Sequence, residues 1–96
     1  FYIEPRIGAM NKLRDSVHSA NQVWLREVFI ARRQELGLSQ RALAEKIGVI
    51  YSLIGKIETG DRRLDVVEFI LYCQALELDA RLIIQQLSEN MEVHKG

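Results

Sequence analysis

The chain contains 96 residues, 48% of them hydrophobic, which is enough for one small domain with a single core but too few for two independent domains. Its single cysteine excludes an intramolecular disulfide and argues against a cysteine-based zinc site. No apolar run approaches the roughly 18 residues that a membrane span requires, and the N-terminus has no signal-peptide core. We therefore expect a soluble cytoplasmic protein that does not associate with membranes.

Residues 1–20 are predicted to be an extension that precedes the folded domain. Phe1 to Ala9, FYIEPRIGA, lie before the first methionine, Met10, and show no convincing periodicity. We interpret them as a remnant of expression, with native translation starting at Met10. The domain is then expected to cover residues 21–87 and to be followed by a tail at 88–96.

A first helix is predicted from Asn21 to Leu36. Leu25 and Phe29 recur at the spacing of one helix face, and Gly37 follows as a residue that ends helices. One side of this helix is therefore expected to pack against the core.

Two short helices are predicted next, from Gln40 to Ile47 and from Ile50 to Thr59. Gly48 between them and Gly60 after them suit the left-handed conformation that often ends a helix. Ser39 can cap the first helix, whereas Ile50 stands where the second would be expected to have a Ser, Thr or Asn. The inward stripes of the two helices are predicted to consist of Leu43, Ala44, Ile47, Val49, Ile54 and Ile57. Two short helices that cross through a tight turn form a helix-turn-helix.

A fourth helix is predicted from Asp65, as its N-cap, to Leu76, and a fifth from Asp79 onward. The apolar residues of the fifth that recur at helical spacing are Ala80, Ile83, Ile84, Leu87 and Met91. A short strand from Leu76 to Ile84 is the alternative, because this segment partly alternates and ends in β-branched residues. We favour the helix.

The charges are unevenly distributed, although 13 basic and 13 acidic residues cancel to a net charge of zero. Residues 24–63 hold eight basic and five acidic residues, whereas residues 64–96 hold two basic and six acidic ones. A neutral chain argues against a nucleic-acid partner, because phosphate contacts normally need a basic surface. The basic part nevertheless coincides with the two short helices, which weakens that objection.

The segment from Asn21 to Leu87 resembles the phage repressor/Cro-like helix-turn-helix family, also called the xenobiotic-response-element type. GLSQRALAEKIG is similar to the first helix of the family motif, and SLIGKIETG is similar to its recognition helix. GDRRLDVVEF is similar to a variant common among bacterial regulators of this type. The resemblance implies an all-α, lambda-repressor-like compact bundle of about five helices, in which the second motif helix enters a DNA major groove.

The resemblance places Tyr51, Ser52 and Lys56 where family members face base edges. Lys56 can donate to guanine O6 and N7, Ser52 can bind several bases, and Tyr51 can contact a thymine methyl group or a phosphate. The alternatives are a solvated side chain for Lys56 and a packing or backbone-contact role for Tyr51.

Phosphate contacts are implied for Gln40, Arg62 and Arg63. Gln40 matches a position that binds a backbone phosphate and supports the recognition helix, and the two arginines resemble residues that anchor the backbone after that helix. Arg41, in the first turn of its helix, is a weaker candidate. The alternative for the two loop arginines is a solvated pair that Asp61 partly neutralises.

Arg33 and Glu58 match a pair that in the family ties the first helix to the recognition helix through a salt bridge. This pair is therefore expected to be structural.

Three positions depart from the expected recognition helix: Ile50 lacks a capping group, Leu53 places a large apolar group near the exposed face, and Gly55 lowers helix propensity by roughly 1 kcal/mol relative to alanine.

An enzymatic function is not expected. His18 and His94 lie near opposite ends of the chain, Cys73 lies on the apolar face of the fourth helix, and no Gly-rich phosphate loop accompanies them. We predict no catalytic residue, no metal site and no cofactor, and no ligand pocket is evident from the sequence.

We predict sequence-specific binding to double-stranded DNA by a bacterial or phage transcriptional regulator at the nucleoid, most simply a repressor. One short helix gives limited affinity and a neutral chain adds little attraction, so a homodimer on a palindromic operator is expected. The expected dimer interface lies on the fifth helix, at Ile83, Ile84 and Leu87. Two alternatives stay open: an antitoxin that represses its own toxin–antitoxin pair and binds a toxin protein, and a protein-interaction module that has lost DNA binding.

Overall fold

The computed structural model describes residues 20–93, which form five α-helices with no β-strand among them. The helices span Ala20–Glu35 (α1), Gln40–Ile47 (α2), Tyr51–Thr59 (α3), Val66–Ala75 (α4) and Ala80–Val93 (α5). The predicted all-α bundle of about five helices is confirmed. The interpretations of Phe1–Ala9, Met10, His18 and His94 concern positions outside the described residues.

The ends of α2 and α3 are fixed by short local interactions. Ser39 Oγ accepts a hydrogen bond of 3.0 Å from the Ala42 N–H at the start of α2. Gly48 and Gly60 end α2 and α3 with φ angles of +88°, in the left-handed region that glycine favours. Ile50 is the N-cap of α3 and makes no side-chain capping hydrogen bond. These ends agree with the sequence-based predictions.

The start of α4 has two reciprocal caps. Asp65 Oδ1 accepts a hydrogen bond of 2.8 Å from the Glu68 N–H, and Glu68 Oε1 accepts one of 3.0 Å from the Asp65 N–H. This capping box satisfies two backbone donors at once. Asp65 was predicted as the N-cap, whereas the part played by Glu68 was not.

A tight turn, and not a strand, connects α4 to α5, so the strand alternative for this segment is wrong. Glu77 adopts a φ angle of +57°, and the Leu78 N–H donates to the Cys73 carbonyl oxygen at 2.8 Å. This is the pattern in which one left-handed residue closes a helix. Arg32 of α1 stabilises the same end, because its Nε donates to the Leu76 carbonyl oxygen at 2.9 Å.

The core lies between α1, the two short helices and α4. Its buried members are Phe29, Leu43, Ala44, Ile54, Ile57, Phe69, Tyr72, Cys73, Ala75 and Leu76. The ring centroid of Phe29 lies 4.7 Å from that of Tyr72 and 5.9 Å from that of Phe69. Ile54 and Ile57 attach α3 to this core, so the opposite side of α3 is left facing outward.

Leu53 packs partly buried against the core, so the expectation that it lies near the exposed face is wrong. The reason is its helical register. Ile54 and Ile57, the two buried residues of α3, lie one and four residues after it, so Leu53 belongs to the same inward side of the helix. The side chain of Leu53 therefore supports α3 and does not compete with its exposed face.

Helix α5 continues beyond Leu87, where the domain was predicted to end, and reaches Val93. Part of the predicted tail is therefore helical. Across residues 20–93 no helix is both long and apolar enough to cross a lipid bilayer.

Candidate nucleic-acid interface

The outer face of α3, defined here by Tyr51, Ser52 and Lys56, is exposed throughout. The opposite side is buried through Ile54 and Ile57, which are 0% and 4% exposed. Positions 51, 52 and 56 lie on one side of a helix because of its 3.6-residue period. The structure therefore brings the three predicted base-contacting residues together on one exposed surface.

Arg41 of α2 contacts this outer face through a cation–π interaction with Tyr51. The guanidinium carbon of Arg41 lies 4.4 Å from the centroid of the Tyr51 ring. Such contacts contribute about 0.5–1 kcal/mol at exposed sites, and they restrict how both side chains move. A predicted phosphate contact and a predicted base contact thus lie next to each other at the start of α3.

Arg33 of α1 and Glu58 of α3, the pair that the family resemblance implies, form a bidentate ion pair. Arg33 Nε lies 2.6 Å from Glu58 Oε2, and Arg33 Nη2 lies 3.1 Å from Glu58 Oε1. Arg33 Nη1 also donates to the Leu38 carbonyl oxygen at 2.8 Å. The two charged side chains are only 12% and 7% exposed. The pair therefore fixes the position of α3 relative to α1 from inside the fold.

Gln40 extends the same network to the start of α2. Its Nε2 donates a hydrogen bond of 2.9 Å to Glu58 Oε1. Its side-chain oxygen lies over Gly55, where an added Cβ would come within 3.7 Å of it, an ordinary van der Waals distance. Gln40 is thus oriented by Glu58 and lies against α3, as expected of a residue that supports that helix.

Arg62, which follows α3, is held by Glu68 of α4. Arg62 Nη1 and Nη2 donate to the two carboxylate oxygens of Glu68 at 3.1 and 2.8 Å. The hydrogen bond from Arg62 and the one from the Asp65 backbone hold the pKa of the Glu68 carboxyl below its usual value. The spacing of Asp65 and Glu68 is a readable capping-box signal, and through it Glu68 could have been found in the sequence. Glu68 therefore couples the cap of α4 to the loop that carries the phosphate candidates.

The lowered pKa of Glu68 has a consequence for stability at acid pH. Because the folded-state pKa is depressed, the contribution is complete above the unfolded value of about 4.3 and is lost as the pH falls through the lower folded value. We expect the Glu68 carboxyl, followed by ¹³C NMR, to titrate below that value and to shift upward in Arg62→Ala. An unchanged titration in the variant would show that the hydrogen bonds from Arg62 do not cause the shift.

Two further arginines, Arg63 and Arg26, lie near the end of α3. Arg63 is exposed. Arg26 of α1 reaches the same loop, and its guanidinium carbon lies only 2.8 Å from where a Cβ on Gly60 would be. Basic groups therefore flank the outer face of α3 at both ends, with Arg41 at its start and the loop arginines after its end.

The start of α3 has no side-chain cap, so we expect a capping residue at this position to raise the stability of the protein. Ile50 has φ and ψ of −73° and 145°, the extended conformation of capping residues, and its side chain is 73% exposed. Ile50→Ser is therefore expected to stabilise the protein by about 1 kcal/mol, since serine can accept a hydrogen bond from a free backbone N–H and little apolar burial is lost. Thermal unfolding measures this as a rise in Tm of about 4–8 °C.

Ser39→Ala is the matched control at the start of α2, where the cap is present. It is expected to lower stability by about 1 kcal/mol. If both variants shift Tm in the same direction, the capping explanation for the Ile50 position is wrong.

The residues predicted for a dimer interface do not share one environment. Ile83 packs partly buried against the core, which makes it part of the monomer. Ile84 is 51% exposed and borders a shallow apolar groove with Val66 and Ile70 of α4. Leu87 is half-buried. Of the three predicted positions, Ile84 offers the most exposed apolar surface.

Cys73 lies in the core and is 0% exposed. Burial raises the pKa of its thiol to about 11, so the thiolate that acts as a nucleophile or metal ligand is not formed near neutral pH. Among residues 20–93, no group of three or more His, Cys, Asp or Glu side chains is arranged to hold a metal ion.

The sequence profile of the helix-turn-helix family matches residues 30–83, which include α2, α3 and the turn between them. The chain belongs to the helix-turn-helix family. Its motif is of the XRE/Cro type, and the function of this family is DNA binding in transcription regulation rather than catalysis. A search of curated protein sequences finds no significant match.

Several solved structures share the fold of this helix-turn-helix chain. An XRE-family like protein from Pseudomonas syringae pv. tomato str. DC3000 is 28% identical, with a TM-score of 0.71 and coverage of 81% of this chain and 95% of that one. A single-site variant of the restriction–modification controller protein C.Esp1396I is 25% identical, with a TM-score of 0.65 and coverage of 80% and 98%. The controller protein C.AhdI from Aeromonas hydrophila is 30% identical, with a TM-score of 0.61 and coverage of 67% and 93%.

Proposed function

We propose that this helix-turn-helix protein is a sequence-specific transcriptional repressor that binds a palindromic DNA operator as a homodimer in the cytoplasm of a bacterium or a phage-infected cell. The observation that carries the proposal is the outer face of α3. Tyr51, Ser52 and Lys56 are exposed on it, while buried isoleucines and the Arg33–Glu58 ion pair fix the helix from behind. A rigid helix with exposed polar side chains suits insertion into a major groove.

The outer face supports a division between base and phosphate contacts. Lys56 is suited to guanine O6 and N7, and Ser52 is suited to several bases. Tyr51 stacks against Arg41, which favours an arrangement in which the ring meets a base edge and the guanidinium meets the adjacent phosphate. The base contacts of α3 would then determine which DNA sequence is preferred. The charged side chains around α3 would determine where the protein lies on the duplex, through phosphate contacts.

Three further side chains are proposed to contact phosphates. The Gln40 amide has two N–H groups, and one hydrogen bond to Glu58 leaves the other N–H available to a phosphate oxygen. Arg63 is exposed directly after α3. Arg62 is oriented by Glu68, so we assign to it the weaker contact and the role of shaping the loop.

We propose that the protein dimerises and that the second copy raises its affinity for the operator DNA. Val66, Ile70 and Ile84 are 75%, 42% and 51% exposed around one shallow groove between α4 and α5. The charge at its edge, Arg81, is balanced by Asp79 at 3.3 Å, so a twofold contact brings no uncompensated like charges together. We therefore move the proposed interface from the whole set Ile83, Ile84 and Leu87 to Ile84 with the exposed side of α4.

Selection from a random duplex DNA pool, followed by affinity measurements across salt concentrations, tests the proposal. We expect one enriched palindromic sequence and an affinity that falls steeply as salt rises, because bound phosphates release counterions. No enriched sequence together with no salt dependence would show that the domain does not regulate through DNA. Placing the selected sequence before a reporter gene then distinguishes repression from activation.

Lys56→Ala and Arg63→Ala are expected to weaken binding in different ways. Loss of the Lys56 contact should cost about 1–3 kcal/mol at one base pair and relax the preference there. Loss of Arg63 should weaken binding to all DNA sequences by a similar factor. It should also reduce the slope of log affinity against log salt concentration by about one unit. Competition binding with a set of single-base operator variants measures both effects, and Gln86→Ala, at an exposed position of α5 outside the proposed groove, is the control. Parent-like binding by both variants would overturn these assignments.

A protein-binding function is the second candidate, and the exposed side of α4 is the observation that favours it. Four apolar residues on this side are between 42% and 75% exposed: Val66, Val67, Ile70 and Leu71. This apolar surface is not needed for the packing of the monomer and is therefore available to a partner. An antitoxin would use such a surface for its toxin, and a module that has lost DNA binding would use it for another partner. An enriched operator would exclude the module, which does not bind DNA, whereas the antitoxin also binds DNA and is distinguished from the repressor only by binding to a toxin protein.

A further inference from the structure

Ile50 places a large apolar side chain in solvent directly before α3. The side chain is 73% exposed and is not among those that pack against the core. As the N-cap of α3, Ile50 makes no side-chain hydrogen bond, although its extended backbone suits a capping residue. Single exposed apolar residues are common on protein surfaces. Ile50 differs from them because a polar residue at its position would stabilise the helix, so folding does not account for the isoleucine.

Ile50 lies at the end of α3 that meets the bases when a helix of this motif binds DNA. It directly precedes Tyr51, whose ring is 48% exposed and lies 4.4 Å from the guanidinium carbon of Arg41. The N-terminal residues of a recognition helix contact base edges in the major groove. When α3 binds in this way, the apolar side chain of Ile50 enters the same part of the groove as the Arg41–Tyr51 pair.

The chemistry of an isoleucine side chain restricts which base it can recognise, because it has no hydrogen-bond donor or acceptor. In the major groove guanine, adenine and cytosine present donors and acceptors, whereas thymine also presents an apolar C5-methyl group. An isoleucine against a donor or acceptor removes that group from water without a replacement hydrogen bond, which is unfavourable. Contact with the thymine methyl group instead buries apolar surface on both partners.

We propose that Ile50 is a specificity-determining residue that contacts the C5-methyl group of one thymine in each half of the operator. The inference rests on the proposed function, in which α3 binds in the major groove. Ile50 then supplies a base contact at a position where a polar residue would supply a helix cap. Ile50→Ser therefore has two opposite effects, since it raises Tm and removes the preference for that thymine.

Replacement of thymine by deoxyuridine removes only the methyl group and tests the contact directly. Each thymine of the selected operator is replaced in turn, at the same position of both half-sites. The Kd of the full chain is then measured by fluorescence anisotropy at constant salt. Burial of one methyl group changes an affinity by about fourfold. At one position we expect a loss of about fourfold per half-site, or about sixteenfold for the palindrome if the two contacts are independent.

Variants at position 50 assign the methyl effect to this side chain. Ile50→Ser should bind the thymine and deoxyuridine operators with similar affinity, and selection with this variant should no longer enrich thymine there. Ile50→Val keeps an apolar side chain and should keep most of the effect. The two operators are compared within each variant, so a change in stability or in overall affinity cancels. Leu82→Ser, which changes an α5 residue that is 62% exposed, is the matched control and should keep the whole effect.

Tyr51 can also contact a thymine methyl group, and the same measurements separate the two residues. A methyl effect of equal size in the parent and in Ile50→Ser would assign the contact to another side chain and overturn the inference. The absence of any thymine whose methyl group affects the affinity of the parent would overturn it as well. Both results leave DNA binding intact. Failure to select any operator would instead overturn the proposed function, and this inference with it.

Discussion

Replacing Glu58 by alanine is expected to lower the free energy of unfolding by about 3–5 kcal/mol, because Arg33 is then left buried without its counter-ion. The two side chains are 7% and 12% exposed, so water cannot readily take the place of the missing carboxylate. Small domains have a stability of about 5–15 kcal/mol, and each kcal/mol shifts Tm by about 4–8 °C. Urea unfolding followed by circular dichroism should therefore show a large fall in the midpoint.

Two further variants separate the buried pair from ion pairs in general. Arg81→Ala breaks the Arg81–Asp79 pair, whose side chains are 92% and 40% exposed, and should leave the urea midpoint unchanged. Arg33→Met combined with Glu58→Met removes both buried charges and should cost less than Glu58→Ala alone. If Glu58→Ala has no larger effect than Arg81→Ala, the ion pair does not hold α3 in solution.

The same carboxylate also links stability to the binding surface. Glu58 accepts hydrogen bonds from Arg33 of α1 and from Gln40 of α2, although it belongs to α3. Its loss therefore releases the proposed phosphate contact at Gln40 and weakens the attachment of the outer face. We expect Glu58→Ala to bind the operator more weakly even at a temperature where it remains folded.

Local signals in the sequence were sufficient for most helix ends. Ser39, Gly48, Gly60 and Asp65 each act within one turn of the chain, so residue type and spacing are enough to place them. Glu77 lacks such a signal, because a left-handed residue that is not glycine gives no warning in the sequence. No local signal for the turn before α5 therefore stood against the strand alternative, which rested on the partial alternation and the β-branched residues of this segment.

Contacts between separate elements could not be read from spacing. The Arg41–Tyr51 contact depends on how α2 crosses α3, and the Arg33–Glu58 pair was available only through resemblance to a family. Helical periodicity places Ile83 and Ile84 on the same side of α5, but only the packed structure shows that Ile83 contacts the core and Ile84 is half exposed. The apolar pocket between α1, the loop after α3 and α5 was not evident either, because its walls come from three separate parts of the chain.

Ile84→Asp is expected to convert the proposed dimer into a monomer and to weaken operator binding by at least a hundredfold. Joining two binding modules raises affinity by about 10²–10⁴ without any new DNA contact, so loss of the dimer should remove that gain. A carboxylate at this position would be desolvated between two apolar surfaces, which is unfavourable. Analytical ultracentrifugation measures the oligomeric state, and fluorescence anisotropy compares the full palindrome with a half-site.

Leu82→Asp is the matched control on the same helix. Leu82 is 62% exposed, more than Ile84 at 51%, but it lies two residues away and so points to a different side of α5. A general effect of charge on α5 would appear in both variants, whereas an interface effect appears only in Ile84→Asp. The variant monomer should bind the palindrome and the half-site with similar affinity, while the parent should prefer the palindrome. Retention of a tight dimer by Ile84→Asp would exclude this surface, and operator affinity that is unchanged in its monomer would mean that one copy of α3 is sufficient.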